Sequence, residues 1–421
     1  MESSPSRRRT WRWVSLFCLC TGLAAWALLG AGCSQNLSRG RRSEDSPVVR
    51  VRVLQNLDKV MITASEPPVA KAASDSVSHA LNFPAGTPVP VTLVPGGWKI
   101  GTGMLGTGEL IIEPSAEGSV AVNGTAYRGR YRLVPVGPGH FDVVNDVDVD
   151  GYLKSVVSKE LLWNWQDEAY KAQAIVARTY ALYEARTAKP GSAYDLQNDQ
   201  RSQVYGGIPA ETRKSRSAVD ETAGVVVAYG DGGQERIFKA YFSSCCGGIS
   251  QSAIDAFGDD YIPPLGDQNV KSLCSASPRF NWGPIVVRKD ELTRRFRIFG
   301  QRKDRPEKKM EAVTRIDIQQ TNRWGRPTRF IVTDVKGARF SWTSEEIRWA
   351  VNTDAAKETQ LPSGFFKVIN DADQVRFVEG HGFGHGVGMC QWCSEARAEL
   401  GMRHEDIVLA AFQKARLIRA Y

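Results

Sequence analysis

The sequence predicts an α+β fold in which a β-rich region is followed by a helix-containing core. Residues 48–53 alternate valine with arginine, the period-two pattern of a half-buried strand, and short β-rich runs between glycine turns continue through residues 83–118. After Gly151 the apolar residues recur at the three- and four-residue spacings of an amphipathic helix: Ala169, Ala172, Ile175, Val176, Tyr180 and Leu182. Because the elements do not alternate regularly as in β-α-β units, the pattern favours α+β.

The remaining elements follow from the same two periodicities. Further strands are predicted at residues 59–63, 127–135, 141–147, 314–318 and 329–335. Helices are predicted at residues 345–351 and 404–414, and a helix followed by a strand at residues 217–229. The basic, polar stretch 288–309 is predicted to hold an exposed helix, and the glycine-rich residues 380–388 a loop.

Composition limits the kind of protein this is. A chain of 421 residues with 42% hydrophobic content can bury one large core or two smaller ones, which excludes disorder over most of its length. The formal net charge of +8 favours anionic surroundings. Nucleic acid, acidic lipid headgroups and an acidic polymer all satisfy that condition.

The first 33 residues predict export. Four arginines precede a run from residue 14 to residue 31 that is almost wholly apolar or small. Cys33 then resembles the lipid-modified cysteine of bacterial lipoproteins, although an uncleaved anchor or ordinary signal cleavage fits as well. Each alternative places the remainder outside the cytoplasm, on the outer face of the membrane or in the periplasm, which excludes nucleic acid as a partner. Residues 34–46 are polar and predicted to be a tether.

Four segments in sequence order resemble the stage II sporulation protein D family. They are DVDGYLKSVVSKEL with DEAYKAQAIVARTYAL, then DQRSQVYGG, then KAYFSSCCGG, and finally GHGFGHGVGMCQW. The resemblance covers about residues 120–415, which we interpret as one family-like domain after a β-rich N-terminal region at 47–119. It implies a cell-wall protein that acts on peptidoglycan. Characterised family members are lytic transglycosylases, and relatives include amidase enhancers that bind the wall or a hydrolase without evident catalysis.

The resemblance implies that Glu160 is the catalytic acid/base. A single carboxyl group suffices for lytic transglycosylation, because it can protonate the glycosidic oxygen and then accept the proton of the sugar hydroxyl that closes the anhydro ring. The apolar residues that follow Glu160 are expected to raise its pKa. The alternative is that Glu160 begins a helix, complements its dipole and is capped by Ser158.

Lys171 and Arg178 also fall on positions that the resemblance marks as functional. In an unbroken helix they would share one face with Glu160, at about 16 Å and about 27 Å from it. Either the chain breaks near residues 163–166 and folds back, or the three side chains line a groove for an extended, peptide-stripped glycan with its lactyl carboxylates. The alternative roles are a solvated Lys171 near Glu168 and an Arg178 in a buried salt bridge.

Three further residues are predicted to bind the glycan. Gln203 and Tyr205 carry groups that hydrogen-bond to sugars and stack on them, although their segment could equally be a structural turn. His385 stands on the histidine position of the family pattern and is presented by flanking glycines. A hydrogen-bonded structural histidine is the alternative.

The cysteines depart from the family pattern. Cys246 and Cys274 match family positions, but Ser243 replaces the histidine that completes a zinc site in some members, while Cys390 and Cys393 add a C-x-x-C. Outside the cytoplasm two disulfides are the expected arrangement, and a structural zinc ion held by four thiolates or a set of free thiols are the alternatives. No catalytic metal is expected, because the chain contains no H-E-x-x-H motif. The family resemblance implies glycan strands and a wall amidase as partners, and the N-terminal segment implies a membrane.

Overall fold

The computed structural model describes residues 46–198 and 202–421. The signal or anchor predicted at 1–33, and the tether apart from Ser46, lie outside these residues. Eight α-helices occur within the described ranges: α1 Val149–Glu160, α2 Asp167–Thr187, α3 Arg213–Glu221, α4 Ala253–Phe257, α5 Lys289–Lys303, α6 Ser344–Asn352, α7 Gln391–Glu399 and α8 His404–Ala411. In these ranges no helix has both the length and the apolar character needed to cross a membrane.

The strands are numerous and mostly short, and together with the helices they confirm the α+β prediction. Those before α1 are β1 Val48–Leu57, β2 Lys59–Ala64, β3 Val69–Ala72, β4 His79–Ala80, β5 Val89–Val94, β6 Gly97–Ile100, β7 Gly103–Leu105, β8 Leu110–Glu113, β9 Val120–Val122, β10 Thr125–Ala126, β11 Arg130–Gly137 and β12 His140–Asp148. Those after α2 are β13 Leu196–Gln197, β14 Val225–Tyr229, β15 Arg236–Ile237, β16 Phe242–Ser243, β17 Asn281–Trp282, β18 Ile285–Arg288, β19 Val313–Thr321, β20 Pro327–Asp334, β21 Arg339–Thr343, β22 Lys367–Asn370, β23 Gln374–Val378, β24 Gly380–His381, β25 Met389–Cys390 and β26 Arg416–Arg419.

Two sheets hold the first third of the described chain. One has the order β13-β1-β12-β11-β8-β3-β4 and the other β10-β9-β2-β5-β6-β7. In β1, Val49 and Val51 are fully buried while Arg50 and Arg52 lie toward the surface, as the alternation predicts. Because β1 pairs antiparallel with β12, the domain boundary predicted between residues 119 and 120 falls inside one shared sheet.

Helices α1 and α2 form a hairpin that positions the site. The Asp148 carboxylate caps α1 by accepting a hydrogen bond from Gly151 N at 2.7 Å. Six residues, 161–166, separate α1 from α2, and the residue before α2, Gln166, is extended. Of the two sequence interpretations, the break near residues 163–166 is therefore the one present.

Residues 285–378 form a module with its own core. The chain leaves the parent fold through β17 and returns through β24, which pair with each other. Between them, two three-stranded sheets, β18-β23-β22 and β19-β20-β21, pack with α5 and α6. The prediction of an exposed helix here is wrong in part, because α5 buries Leu292, Phe296 and Phe299 along one face and exposes only its basic side.

Candidate functional site

Glu160 is the last residue of α1 and is half-buried. Its Oε2 accepts a hydrogen bond from Nε2 of Gln391, the first residue of α7, at 3.3 Å. Burial raises the pKa of Glu160, and the hydrogen bonds from Gln391 and from the Val204 backbone offset part of that rise. In the described residues no lysine, arginine or histidine forms an ion pair with this carboxylate. The site therefore favours a carboxyl group that keeps its proton more readily than usual.

The position of Glu160 at the end of its helix also disfavours the ionised form of its carboxyl group. The alternative in which Glu160 begins a helix is wrong, because α1 ends there and Leu161 is already extended. The negative end of the helix dipole disfavours an ionised carboxylate at that place. Ser158 is not a cap either, since its hydroxyl donates to the carbonyls of Ser155 and Ala210.

The turn after Glu160 is held firmly in place. Trp165 is buried and packs edge-on against Trp392 of α7, with ring centroids 5.0 Å apart. Gln166 N donates to Glu395 Oε2 of the same helix at 2.9 Å. Helix α7 therefore supplies both the amide that contacts Glu160 and the support for the turn beside it.

Lys171 lies in the first turns of α2 but does not contact Glu160. Its Nζ pairs with Glu168 Oε1 at 2.9 Å and with Glu221 Oε2 at 2.8 Å. Only 17% of its side chain is exposed. The ammonium group is thus neutralised by two carboxylates, and a glycan carboxylate would have to compete with them.

Arg178 is completely buried and its donors are used within the protein. Its guanidinium bonds Asp150 through Nε at 2.9 Å and through Nη2 at 2.8 Å. Further bonds reach Thr222, Val225 and Val219. The geometry therefore corresponds to the alternative of a buried salt bridge, and not to a residue that lines a glycan groove.

The distance between the two ends of α1 also separates Arg178 from the acid. Its partner Asp150 lies ten residues before Glu160 on the same helix, which corresponds to about 15 Å at 1.5 Å per residue. The structure therefore does not bring Glu160, Lys171 and Arg178 together around one atom of a substrate.

Gln203 and Tyr205 are buried, and the residue between them reaches the site. Gln203 Oε1 accepts from the Tyr152 hydroxyl at 3.0 Å, and the Tyr205 hydroxyl donates to Asn145 Oδ1 at 3.0 Å. Both side chains are anchored in the core, where sugar contact is blocked. The segment serves Glu160 through the backbone of Val204.

His385 lies in a separate, aromatic environment. Its Nδ1 accepts a hydrogen bond from Val387 N at 3.0 Å, and its ring lies 5.7 Å from that of Tyr241 and 5.4 Å from that of Phe257, between centroids. Burial lowers the pKa of His385 to about 4. The geometry is that of a neutral, hydrogen-bonded histidine.

Four buried cysteines form a compact sulfur cluster: Cys246, Cys274, Cys390 and Cys393. Their Sγ atoms all lie within 4.8 Å of one another, with 3.7 Å from Cys246 to Cys274 and 3.9 Å from Cys246 to Cys393. All are free thiols, as is the neighbouring Cys245. Zn–S bonds of about 2.3 Å in a tetrahedron place sulfurs about 3.8 Å apart, so the donor set fits a zinc ion.

A buried arginine beside the sulfurs is consistent with a negatively charged cluster of four thiolates around a zinc ion. Arg326 is 1% exposed, and its Nη1 donates to the carbonyls of Cys246 and Ile249 while its Nη2 donates to that of His385. A side chain on Gly386 would collide with this guanidinium. Within the described residues no carboxylate pairs with Arg326, and burial lowers its pKa to about 10. Four thiolates around Zn²⁺ carry two negative charges, which would compensate this cation, whereas two disulfides are neutral.

Comparison with known proteins supports the family resemblance. Residues 138–229 match the family model of SpoIID, the stage II sporulation protein. Stage II sporulation protein D of Bacillus subtilis is 25% identical over 294 residues, which cover 66% of this chain and 76% of that protein. Residues 138–229 therefore form a domain of the stage II sporulation protein D family.

Two further relatives are similar to this chain over comparable lengths. The amidase enhancer of Bacillus subtilis is 24% identical over 285 residues, which cover 61% of this chain but only 39% of that protein. An uncharacterized protein of Brachyspira hyodysenteriae is 28% identical over 287 residues, covering 68% of this chain and 71% of that protein. The family supports a role at the cell wall.

Sequence reasoning missed Gln391, Val204 and Arg326. Gln391 stands inside the GHGFGHGVGMCQW segment, between the candidate ligands Cys390 and Cys393. The SpoIID match ends before Gln391 and before the sulfur cluster. The available signal for Gln391 was its place as a polar residue between two candidate ligands. Nothing in the local sequence marks Arg326, which lies in the module of residues 285–378.

Proposed function

We propose that this protein cleaves peptidoglycan glycan strands by lytic transglycosylation, with Glu160 as acid/base and peptide-stripped glycan as the substrate. The bond broken joins N-acetylmuramic acid to N-acetylglucosamine, and the product carries an anhydro-muramic end. The observation that supports this proposal most is the Glu160 carboxyl, which is half-buried, at a helix C-terminus, and hydrogen-bonded only by neutral groups in the described chain.

The chemistry needs one carboxyl group in two states. Protonated Glu160 donates its proton to the glycosidic oxygen, which leaves with the electrons of the broken bond. The resulting carboxylate then accepts the proton of the muramic hydroxyl whose oxygen bonds to the vacated carbon. Atoms balance without water, because the proton given to the leaving oxygen is replaced by the proton of the muramic hydroxyl, so Glu160 ends protonated and ready for the next cycle. A raised pKa suits the first half of this cycle.

Gln391 has a positioning role in this proposal. As a neutral donor it holds the carboxyl without fixing it as an anion, which an arginine or lysine at that distance would do. The Val204 backbone acts in the same way. Lys171 would contribute only by exchanging one of its two carboxylates for that of the glycan.

The second candidate is an amidase enhancer without catalysis. The internal pairing of Lys171 and the burial of Arg178 favour it, because these cations are already occupied in the described structure. An amidase enhancer is also among the relatives. Under this candidate the surface around Glu160 would contact the wall or a hydrolase.

The remaining expectations become part of the same proposal. The arginine-rich, apolar N-terminus supports export and tethering at the outer face of the membrane, with Cys33 as the proposed lipid site. The sulfur cluster would hold a structural zinc ion, with no part in the reaction. Glycan strands and a wall amidase are the proposed partners.

One experiment separates the two candidates. The full-length chain is incubated with peptide-stripped glycan, and mass spectrometry is used to look for anhydro-muramic ends. Their formation supports the transglycosylase. No product, together with faster cleavage by an added wall amidase, would support the enhancer and overturn the enzyme.

A further inference from the structure

Trp163 is the most exposed large apolar side chain in the described part of the protein. Its relative exposure is 84%, and the preceding Leu162 is 50% exposed. Its neighbour two residues on, Trp165, is buried at 5%. Two tryptophans in one short turn therefore have opposite environments, and only one of them contributes to the core.

The turn that carries Trp163 is well anchored, so its exposure does not reflect a loose loop. Trp165 N donates to Leu162 O at 3.1 Å, and the Tyr170 hydroxyl donates to the same carbonyl at 3.0 Å. Lys214 Nζ donates to Trp165 O at 2.5 Å and to Trp163 O at 3.5 Å. The backbone holds a bare indole in a defined place.

That place is next to the proposed acid. Trp163 follows Glu160 by three residues, so their Cα atoms lie at most about 11 Å apart at 3.8 Å per residue. Leaving a large apolar side chain in water forgoes the free energy that its burial would contribute to folding. The fold gains nothing from this indole, which points to a ligand that covers it.

We propose that the Trp163 indole is a stacking surface for one pyranose ring of the glycan strand held at Glu160. This inference rests on the proposed function and names a residue for its substrate specificity. The negative face of an indole attracts the slightly positive C–H groups on the face of a sugar ring, while the ring's hydroxyls stay in water. An exposed aromatic side chain on a fixed backbone suits that geometry.

A glycan fits this surface better than a protein partner does. A stable protein interface buries about 800 Å² on each side. Next to Trp163 in the chain only Leu162 adds exposed apolar surface, and the following Asn164 is polar. A single indole with little other exposed apolar surface beside it in the chain matches one sugar ring, and its contact strengthens binding without touching the bond that breaks.

The test measures binding separately from turnover. In the full-length chain with Glu160→Gln, we expect Trp163→Ala to weaken the affinity for peptide-stripped glycan oligosaccharides about 10- to 100-fold by calorimetry. Trp163→Phe, which keeps an aromatic face, should recover most of the affinity. Trp324→Ala, which removes an indole that is 42% exposed in the module, should leave it unchanged. With Glu160 present, Trp163→Ala should raise KM and leave kcat within about twofold.

Each other outcome is informative. Equal affinity of the Trp163→Ala and parent chains overturns this inference and leaves the proposed function standing. No glycan binding by the parent chain overturns both. Weaker capture of a wall amidase by Trp163→Ala, with unchanged glycan affinity, would assign the indole to a protein partner and also overturn the inference.

Discussion

Two glutamates on either side of the α1–α2 turn have opposite environments. Glu160 ends α1, where burial and the helix dipole oppose its negative charge and its donors are neutral. Glu168 lies in the first turn of α2 and binds Lys171 Nζ at 2.9 Å and His404, through both N and Nδ1, at 2.7 Å. Burial opposes the ionisation of Glu168 too, but the bonds from Lys171 and His404 outweigh it and lower its pKa to about 2.

The comparison shows that one break in a helical stretch produces both carboxylate environments, that of Glu160 and that of Glu168. A helix C-terminus and a helix N-terminus lie within eight residues of each other, and they have opposite effects on a carboxylate. Glu168 is an anion at neutral pH and ties α2 to α8, whereas the environment of Glu160 favours a carboxyl group that holds its proton more readily. The proposed catalysis belongs to the second kind of environment.

The largest expected effect is on the rate of product formation when each of the two glutamates is replaced by glutamine. Glu160→Gln should lower the rate of anhydro-muramic product formation about 10²- to 10⁴-fold, the usual contribution of a general acid or base. Glu168→Gln is the matched control, since it removes the same charge eight residues away, and it should leave the rate within about tenfold. Equal losses in the two variants, measured by mass spectrometry at pH 7, would contradict the assignment of roles.

The next effect concerns the sulfur cluster at the start of α7, the helix whose first residue, Gln391, contacts Glu160. Cys393→Ser should abolish stoichiometric zinc and lower Tm by roughly 5–10 °C, because a buried ligand set is left incomplete. Cys245→Ser, which changes a buried thiol outside the four-sulfur set, is the control and should keep the metal. Metal analysis with calorimetry measures both. A metal-free parent chain lighter by four hydrogens would instead indicate two disulfides.

A smaller effect is expected from the neutral donor to Glu160. Gln391→Leu should lower kcat about tenfold, or about 1.4 kcal/mol, since the acid loses its positioning bond. That bond lowers the pKa of Glu160, so its loss raises the pKa further and moves the alkaline limb of the activity profile to higher pH. Gln413→Leu, on the surface, serves as the control. An unchanged pH profile would count against the positioning role.

The smallest expected effect is the loss of folding stability at acidic pH when Glu168 becomes protonated. Its pKa is about 2 in the folded chain against 4.5 ordinarily, so its stabilising contribution is complete above pH 4.5 and is lost as the pH falls toward 2. Because the carboxylate is partly solvated, we expect about 1–2 kcal/mol. Urea unfolding between pH 2 and 6 should show a shallower acid loss for Glu168→Gln than for the unchanged protein. Parallel curves would mean that the pair contributes nothing measurable.

The sequence was sufficient wherever a local pattern decides the structure. The valine–arginine alternation predicted β1, and the apolar spacing after residue 167 predicted α2, because both patterns record which face is buried. The end of α1 at Glu160 was beyond local reasoning. No glycine or proline marks it, and the turn depends on Trp165 packing against Trp392, which lies 227 positions later in the chain.

The site depended on contacts between distant segments. The parallel pairing of β16 with β25 brings Cys390 beside the segment of Cys246, whereas spacing alone favoured disulfides over a zinc site. Arg178 matched a functional position, but its salt bridge to Asp150 exists only because the hairpin folds back. Sequence could therefore identify Glu160 and the candidate ligands, while the roles of Gln391 and Arg326 required the fold.

The paired strands β17 and β24 have a consequence for how this architecture can change. A segment whose two ends are adjacent can lengthen, shorten or be exchanged without altering the geometry of the fold that carries it, since a tight turn would join the same two points. The spacing between Glu160 and Gln391 is therefore insulated from variation in residues 285–378. The module also contacts the rest of the chain through Asn322, Thr343 and Ser344, and through Arg326, which brings a positive charge to the sulfurs. Any shorter substitute would need to supply another cation there.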